Sequence, residues 1–321
     1  MNKYSSTRVA VAGAAGYAGR ELLERLARHP GVELAAAVGS GRGAAATPVA
    51  ELAPAYHGRL QVEPGTPDTV LRAGAEVVFL ATPAEVSTEW VAGLGEGVRV
   101  IDLSGAYRFT DAAVYGWPEK NRDAIRGARL VANPGCYATA AVTALWPLLA
   151  AGAIEENDII CDAKSGASGA GRGLRDDLHF VELEGNCKAY SVYQHRHAPE
   201  IARHAGMGAA GAARFTFAPH LLPTSRGILA TTYVKLNQEN LGEIYDRAYA
   251  GRPFVRLRGA RLPELNDVVR TNFCDLGWSV RAEHRQAIIV TCLDNLVKGA
   301  AGQALQNFNL MTGWPEETAL L

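Results

Sequence analysis

Residues 7–19 constrain the fold of this 321-residue chain more than any other stretch. The apolar run TRVAVA (7–12) predicts a buried strand, and the glycine-rich sequence GAAGYAG (13–19) follows it directly. Three leucines within residues 22–26 then share one face of a predicted helix. In such a strand–turn–helix unit, backbone N–H groups at the helix N-terminus can approach a pyrophosphate. The stretch therefore predicts a dinucleotide-binding unit.

The glycine spacing in this turn is G-x-x-G-x-x-G, whereas the dinucleotide fingerprint is G-x-G-x-x-G. A tight structural turn is therefore an alternative to a phosphate site. If the turn binds a dinucleotide, the expected contacts are Gly13, Ala15, Gly16, Tyr17, Ala18 and Gly19.

Ser40 and Arg42 follow the second predicted strand, 32–38, at the place where an NAD-specific fold carries an acidic residue. A hydroxyl and a guanidinium with no competing carboxylate suit a 2′-phosphate. These residues predict NADP as the cofactor, and the alternative is that they belong to a solvated loop.

Continuous apolar strands at 76–83, 98–104 and 128–132, with a helix at 86–94, predict a parallel sheet covered on both faces. Ligands of such sheets bind beyond the carboxyl ends of the strands, which makes Thr82 and Pro83 candidate cofactor contacts.

Cys136 lies between the last of these strands and a long predicted helix at 138–149, directly after the turn sequence Asn-Pro-Gly. The positive end of a helix dipole favours a thiolate, so this position suits a nucleophile. The alternative is a buried structural cysteine.

From about residue 154 the pattern changes to strands at 158–162, 215–217, 227–236 and 287–293, separated by longer loops. This predicts an α+β domain on a mixed or antiparallel sheet, and hence an α/β fold of two domains. Two motifs stand out in it, DAKSGASGAGR (162–172) and HRHAPEI (195–201). Small residues in the first motif permit close backbone approach.

His195 and His197 are two residues apart and would face opposite sides of a strand, which argues against a metal site. Glu200 lies three residues after His197, across the start of a predicted helix, and can orient its imidazole. The alternative is an ordinary surface or core histidine.

Composition narrows the function classes. A formal net charge of -1 gives no general attraction to nucleic acid or an anionic membrane. No apolar run suits a signal peptide or a membrane span. Five widely spaced cysteines without a Cys-x-x-Cys pair predict a reducing cytoplasm, with Cys161 and Cys292 in the core.

The chain resembles the N-acetyl-γ-glutamyl-phosphate reductases, relatives of aspartate-semialdehyde dehydrogenase. The matching motifs run nearly from end to end. They are GAAGYAG (13–19), IDLSGAYR (101–108), YGWPE (115–119), NPGCY (133–137), DAKSGASGAGR (162–172), HRHAPEI (195–201), PHLLPTSRGIL (219–229), DNLVKGAAGQA (294–304) and NLMTGW (309–314).

The resemblance implies a Rossmann-type NADP domain (1–136 with 295–321), a catalytic domain (137–294) and a homodimer or homotetramer. It implies NADPH-dependent reduction of an acyl phosphate to an aldehyde, with Cys136 as nucleophile, His197 as acid–base group and Glu200 orienting it. It further implies Arg108, Asn133, Lys164, Arg172 and His195 as substrate contacts, and Ser165, Gly166 and Asn295 as cofactor contacts.

The family usually carries a longer insertion between Arg108 and Tyr115, where this chain has only residues 109–114. The shorter segment leaves the identity of the acyl substrate open. One alternative is the lysine-pathway reductase, which takes an α-aminoadipyl phosphate tethered to an acidic carrier protein. Another is a non-catalytic NADP-binding regulatory protein, although such a protein has no chemical need for Cys136, His197 and Glu200.

Overall fold

A computed structural model describes residues 6–39 and 46–321, and the chain divides into two compact units. One comprises Met1–Pro134 with Ala300–Leu321, and the other comprises Gly135–Gly299. Ser40 and Arg42, on which the NADP prediction rests, lie outside the described residues.

The first unit is built on an eight-stranded sheet in the order β3-β4-β2-β1-β5-β6-β8-β7. Of the seven pairs of neighbouring strands, β3 with β4 is antiparallel and the other six are parallel. The strands are β1 (Thr7–Ala12), β2 (Val32–Gly39), β3 (Thr47–Pro48), β4 (Gln61–Pro64), β5 (Val77–Leu80), β6 (Arg99–Asp102), β7 (Val114–Tyr115) and β8 (Leu130–Ala132). The helices among them are α1 (Tyr17–Leu26), α2 (Val49–Leu52), α3 (Pro67–Arg72), α4 (Ala84–Leu94) and α5 (Pro118–Arg126).

The strands β1 and β5 lie at the centre of this sheet, and all four residues of β5 are buried. That burial explains why the central strands are almost continuously apolar in sequence. The predicted parallel sheet and its helices are confirmed.

The second unit contains a seven-stranded mixed sheet in the order β10-β11-β9-β12-β15-β14-β13. Its strands are β9 (Ile160–Gly166), β10 (Lys188–Ala189), β11 (Thr216–Leu222), β12 (Ile228–Lys235), β13 (Val255–Gly259), β14 (Cys274–Arg281) and β15 (Gln286–Leu293). Its helices are α6 (Cys136–Ala150), α7 (Phe180–Leu183), α8 (His197–Ala205), α9 (Ala209–Arg214) and α10 (Leu241–Tyr249). The predicted mixed sheet, and with it the two-domain α/β fold class, is confirmed.

Strand β9 ends at Gly166, four residues beyond the predicted end at residue 162. It pairs in parallel with β11 and antiparallel with β12 along the added length, so the small-residue motif begins inside the sheet. Pairing on both sides satisfies the backbone hydrogen-bonding groups of these small residues.

The chain returns to the first unit near its end. A π-helical turn, Val297–Ala301, leads into α11 (Gly302–Thr312), which packs against α1 and α5. Ten residues of α11 are buried, including the polar Gln303, Gln306, Asn307 and Asn309. Gln303 and Asn307 donate side-chain hydrogen bonds to the carbonyl of Gly116, which makes α11 an integral part of this unit.

Candidate active site

Cys136 is the first residue of α6, and its position is set by contacts of the residues around it. The backbone N–H of the N-cap residue Gly135 donates a 2.8 Å hydrogen bond to the Glu200 carboxylate. Glu200 is only 1% exposed and belongs to α8, which packs against α6. The carboxylate therefore accepts from one of the N–H groups that a helix N-terminus leaves without an intrahelical partner.

Gly299, within the π-helical turn, packs directly against Cys136. A Cβ at Gly299 would be 2.7 Å from the Cys136 Cβ, a distance that two such atoms do not adopt. The absence of a side chain at position 299 thus allows the chain to pass directly beside the cysteine, a contact that the sequence did not predict.

His197 and His195 lie together rather than on opposite sides of a strand, so the expectation of an extended segment is wrong. His197 begins α8, and its backbone N–H donates a 3.1 Å hydrogen bond to Nδ1 of His195. Their ring centroids are 4.7 Å apart in an edge-to-face arrangement. The helix begins at His197 because Pro199 suits its first turn, which places both imidazoles at the N-terminal end of α8.

Tyr137 links the cysteine to this histidine pair. It follows Cys136 in α6, and its ring centroid lies 5.5 Å from that of His195 and 6.0 Å from that of His197. Burial, together with the Tyr190 hydroxyl at 3.3 Å, raises the pKa of Tyr137 far above its ordinary value. The Tyr137 hydroxyl is therefore neutral and donates to the carbonyl of His220 at 3.1 Å.

Burial lowers the pKa of His195 to about 4, and the neighbouring Arg196 lowers it further while Glu200 opposes the shift. His195 is therefore neutral near pH 7. His197 is more deeply buried, at 4% exposure, and is the nearer of the two to the start of α8.

The motif at 162–172 divides between strand β9 and a 3-10 turn, Ala167–Ala170. Lys164 forms a 2.8 Å ion pair with Asp162, and Ser165 is buried. A Cβ at Gly166 would lie 2.6 Å from the backbone N of Arg226, so close packing requires this glycine. Arg172 is exposed on the loop that follows.

Asn295, predicted to contact the cofactor, holds two segments of its own unit together. Its side-chain oxygen accepts from the Gly227 N–H at 2.8 Å, and its side-chain nitrogen donates to the Ser168 hydroxyl at 2.9 Å. These bonds give Asn295 a structural role beside the predicted one.

Arg108 and Asn133 meet in the first unit. Nε of Arg108 donates to the Asn133 carbonyl at 2.9 Å, and one terminal nitrogen of Arg108 donates to the Leu103 carbonyl at 2.9 Å. The Asn133 side chain donates to the Ala300 carbonyl and accepts from Asn307. Both residues, which the resemblance implies as substrate contacts, are thus held in place within one buried network.

The glycine turn fits a dinucleotide pyrophosphate. Gly13 has φ of +78°, and a Cβ there would lie 2.2 Å from the Ala81 carbonyl oxygen, while a Cβ at Gly19 would lie 2.2 Å from the Gly13 oxygen. A Cβ at Gly16 would meet only the Gly13 oxygen, at an ordinary 3.4 Å. Gly16 caps α1 without a side-chain hydrogen bond to its first N–H groups, which suits an anion at that point.

Thr82 and Pro83 follow β5 and open α4. The Thr82 hydroxyl is 2.8 Å from that of Ser87, and Pro83 is the N-cap residue of the helix. Within the described ranges 6–39 and 46–321, no group of three or more His, Cys, Asp or Glu residues is placed to hold a metal ion, and no helix is long and apolar enough to span a bilayer.

Two family models match the chain: "Semialdehyde dehydrogenase, NAD binding domain" over residues 8–128, and "Semialdehyde dehydrogenase, dimerisation domain" over residues 136–295. The N-acetyl-gamma-glutamyl-phosphate reductase of Halothermothrix orenii is 41% identical over 98% of this chain and 97% of its own length.

Two solved structures show the same fold. Aspartate semialdehyde dehydrogenase II of Vibrio cholerae, complexed with ASA, matches with a TM-score of 0.74 and 18% identity, over 96% of this chain and 99% of that one. Aspartate semialdehyde dehydrogenase of Candida albicans, with NADP, matches with a TM-score of 0.71 and 15% identity, over 96% of this chain and 98% of that one.

Proposed function

Because the chain belongs to the N-acetyl-γ-glutamyl-phosphate reductase family, we propose that it reduces N-acetyl-γ-glutamyl phosphate to N-acetylglutamate semialdehyde with release of phosphate, as a step of arginine biosynthesis. The observation that carries the proposal is the placement of Cys136 at the start of α6, one residue from the Glu200–Gly135 contact. This membership makes the chain an oxidoreductase that uses a nicotinamide dinucleotide.

The proposed reaction begins when the Cys136 thiolate attacks the acyl carbon of the substrate. The tetrahedral intermediate expels phosphate and leaves a thioester, which is a better hydride acceptor than a carboxylate. A bound nicotinamide supplies that hydride. His197 accepts the thiol proton and later protonates the oxygen of the thiohemiacetal, a contribution of roughly 10²–10⁴-fold for a general acid–base group. In the last step His197 takes the hydroxyl proton back as the C–S bond breaks, which releases the aldehyde and restores the Cys136 thiolate.

The cofactor is proposed to be NADP, bound by the glycine turn, with Ser40 and Arg42 at the 2′-phosphate. The turn has a suitable shape at Gly16, and the related Candida albicans structure is described with NADP. All five cysteines are free thiols, which supports a reducing cytoplasm as the site of action.

The protein is proposed to act as a homodimer through the mixed sheet of its second unit. Ile160, Tyr233 and Ile288 lie side by side on β9, β12 and β15 and are 42%, 40% and 38% exposed. An apolar row of this kind on a sheet face suits a partner surface, and the matching family model is described as a dimerisation domain. Sedimentation of wild type and Ile288→Lys tests the proposal, since the variant should be monomeric.

The function is tested in the reverse direction with purified protein, N-acetylglutamate semialdehyde, phosphate and NADP or NAD. The proposal expects NADPH formation that depends on all three components and exceeds the rate with NAD. No reduced cofactor in any mixture, from folded protein, would contradict the proposed function.

A further inference from the structure

We propose that Arg175 and Lys188 bind the carboxylate of the substrate, at the end of the molecule remote from the acyl phosphate. The proposal rests on the proposed function and adds to it a specificity-determining site. Both residues line a cavity of about 210 Å³ that lies wholly within the second unit.

The cavity borders the reactive cysteine region. Its lining includes Ser165, His195 and Tyr190, and the Tyr190 hydroxyl is 3.3 Å from that of Tyr137, the residue after Cys136. A substrate whose acyl carbon is at the cysteine would therefore extend its other end toward this space.

The charged groups of the cavity are three cations and one anion: Arg175, Lys188, Arg196 and Asp177. Since the pKa of His195 is lowered to about 4, His195 adds no charge near neutral pH. The formal charge of the cavity lining is therefore +2, because its one carboxylate offsets only one of the three cations.

Asp177 shows how this cluster holds a carboxylate. Arg175 donates to its two oxygens at 2.9 and 2.8 Å, and Lys188 lies 3.3 Å from one of them. The Lys188 side chain also donates to the Asp177 carbonyl at 3.2 Å. Because Asp177 neutralises only one of the cations, the cluster can attract a second carboxylate.

The substrate provides such a group. N-acetyl-γ-glutamyl phosphate carries its α-carboxylate at the opposite end of the carbon chain from the reacting acyl group. The guanidinium of Arg175 and the ammonium of Lys188 suit a carboxylate. The side chains of Leu178 and Leu221 form an apolar part of the wall, which suits a short aliphatic chain. Phosphate and the cofactor are also anions that a cationic cavity attracts, so the experiment must distinguish them from the substrate carboxylate.

The experiment compares Arg175→Gln and Lys188→Gln with wild type in the reverse reaction. We expect the KM for N-acetylglutamate semialdehyde to rise about tenfold or more in each, with kcat changed by less than about threefold, as for lost ground-state binding. The KM values for phosphate and NADP should not change. Arg214→Gln, which removes a surface ion pair with Asp158, is the matched control and should leave all constants unchanged.

A second substrate separates binding of the carboxylate from a loss of folding. The α-methyl ester of the semialdehyde lacks the negative charge, so its kcat/KM should be lower with wild type and should not fall further in either variant. An equal loss for the acid and the ester would overturn the proposal, as would an altered KM for phosphate or NADP. Absence of wild-type turnover would instead contradict the proposed function itself.

Discussion

The Glu200 carboxylate accepts a 2.8 Å hydrogen bond from the backbone N–H of Gly135, the residue before Cys136. Glu200 is on α8 and Gly135 caps α6, so the bond joins the helix that begins with His197 to the helix that begins with Cys136. Glu200 therefore positions the start of α6 in addition to its predicted role of orienting His197.

Replacing Glu200 separates these two roles. Glu200→Ala leaves the buried Gly135 N–H without this acceptor, which should lower the free energy of unfolding by about 1–3 kcal/mol. Glu200→Gln keeps an oxygen acceptor and should stay within about 1 kcal/mol of wild type by urea unfolding. If Glu200 also favours protonated His197, the Gln variant should shift one limb of the pH–rate profile to lower pH while it keeps nearly wild-type stability. Equal stability losses in both variants would contradict the positioning role.

Cys136→Ser tests the nucleophile. A hydroxyl at this position is too weakly acidic to form the ester at a useful rate, so turnover should be abolished while NADP binding by fluorescence titration stays nearly intact. Cys161→Ser, a change at a buried cysteine, is the control for the loss of a thiol elsewhere in the unit. Turnover of Cys136→Ser well above background would remove this residue from the role.

The two histidines are distinguished by kcat and KM. His197→Asn should lower kcat by several orders of magnitude and flatten one limb of the pH–rate profile, since the acid–base group is lost. His195→Asn should act mainly on KM, because the pKa of His195 is about 4 and its ring is neutral throughout the neutral range. The reverse pattern would transfer the catalytic role to His195.

The lowered pKa of His195 also predicts a pH dependence of stability. Between the ordinary value of 6.5 and about 4, the unfolded state binds more protons at this residue, so wild type loses stability as the pH falls. The slope from one such group is at most about 1.4 kcal/mol per pH unit. His195→Asn should lose less stability than wild type over this window, and parallel curves in urea unfolding would contradict the assigned pKa.

Local patterns predicted most of the fold, and the roles of the candidate site residues stay predictions. Buried parallel strands such as β5 are apolar throughout, and the turn before Cys136 is marked by Asn-Pro-Gly. Both features can therefore be predicted from the local sequence without tertiary information. The Glu200–Gly135 bond joins residues 65 positions apart, and no local pattern encodes it. The geometry of His195 and His197 was missed because alternation was assumed where a helix begins.

The cations of the cavity were not identified as a cluster for a related reason. Arg175 lies in a loop and Lys188 in the two-residue strand β10, so neither belongs to a periodic pattern, and the fold brings both to Asp177. In sequence they resemble ordinary surface charges. The π-helical turn that places Gly299 beside Cys136 is likewise hidden in a pattern that reads as a continuous helix.

The glycine turn should respond differently to substitution at Gly13 and at Gly16. Gly13→Ala forces a side chain at positive φ against the Ala81 carbonyl, so it should destabilise the first unit by at least about 1 kcal/mol. Gly16→Ala meets no such contact and should keep the wild-type unfolding midpoint while weakening NADP binding at least about tenfold. Wild-type NADP affinity in Gly16→Ala would show that the turn is structural only.

Thiol reactivity tests the division between buried and accessible cysteines. Burial raises the pKa of Cys161 to about 12 and raises that of Cys292 as well, so neither forms a thiolate near neutral pH. Cys187 is exposed and Cys136 is partly so, and a short alkylating reagent should label these two in the native protein. Peptide mass mapping should find Cys161, Cys274 and Cys292 unlabelled until denaturant is added.

Labelling of Cys187 should leave activity intact, whereas labelling of Cys136 should abolish it. A Cys187→Ser variant isolates the effect of labelling at Cys136. Loss of activity without modification of Cys136 would place the sensitive thiol elsewhere.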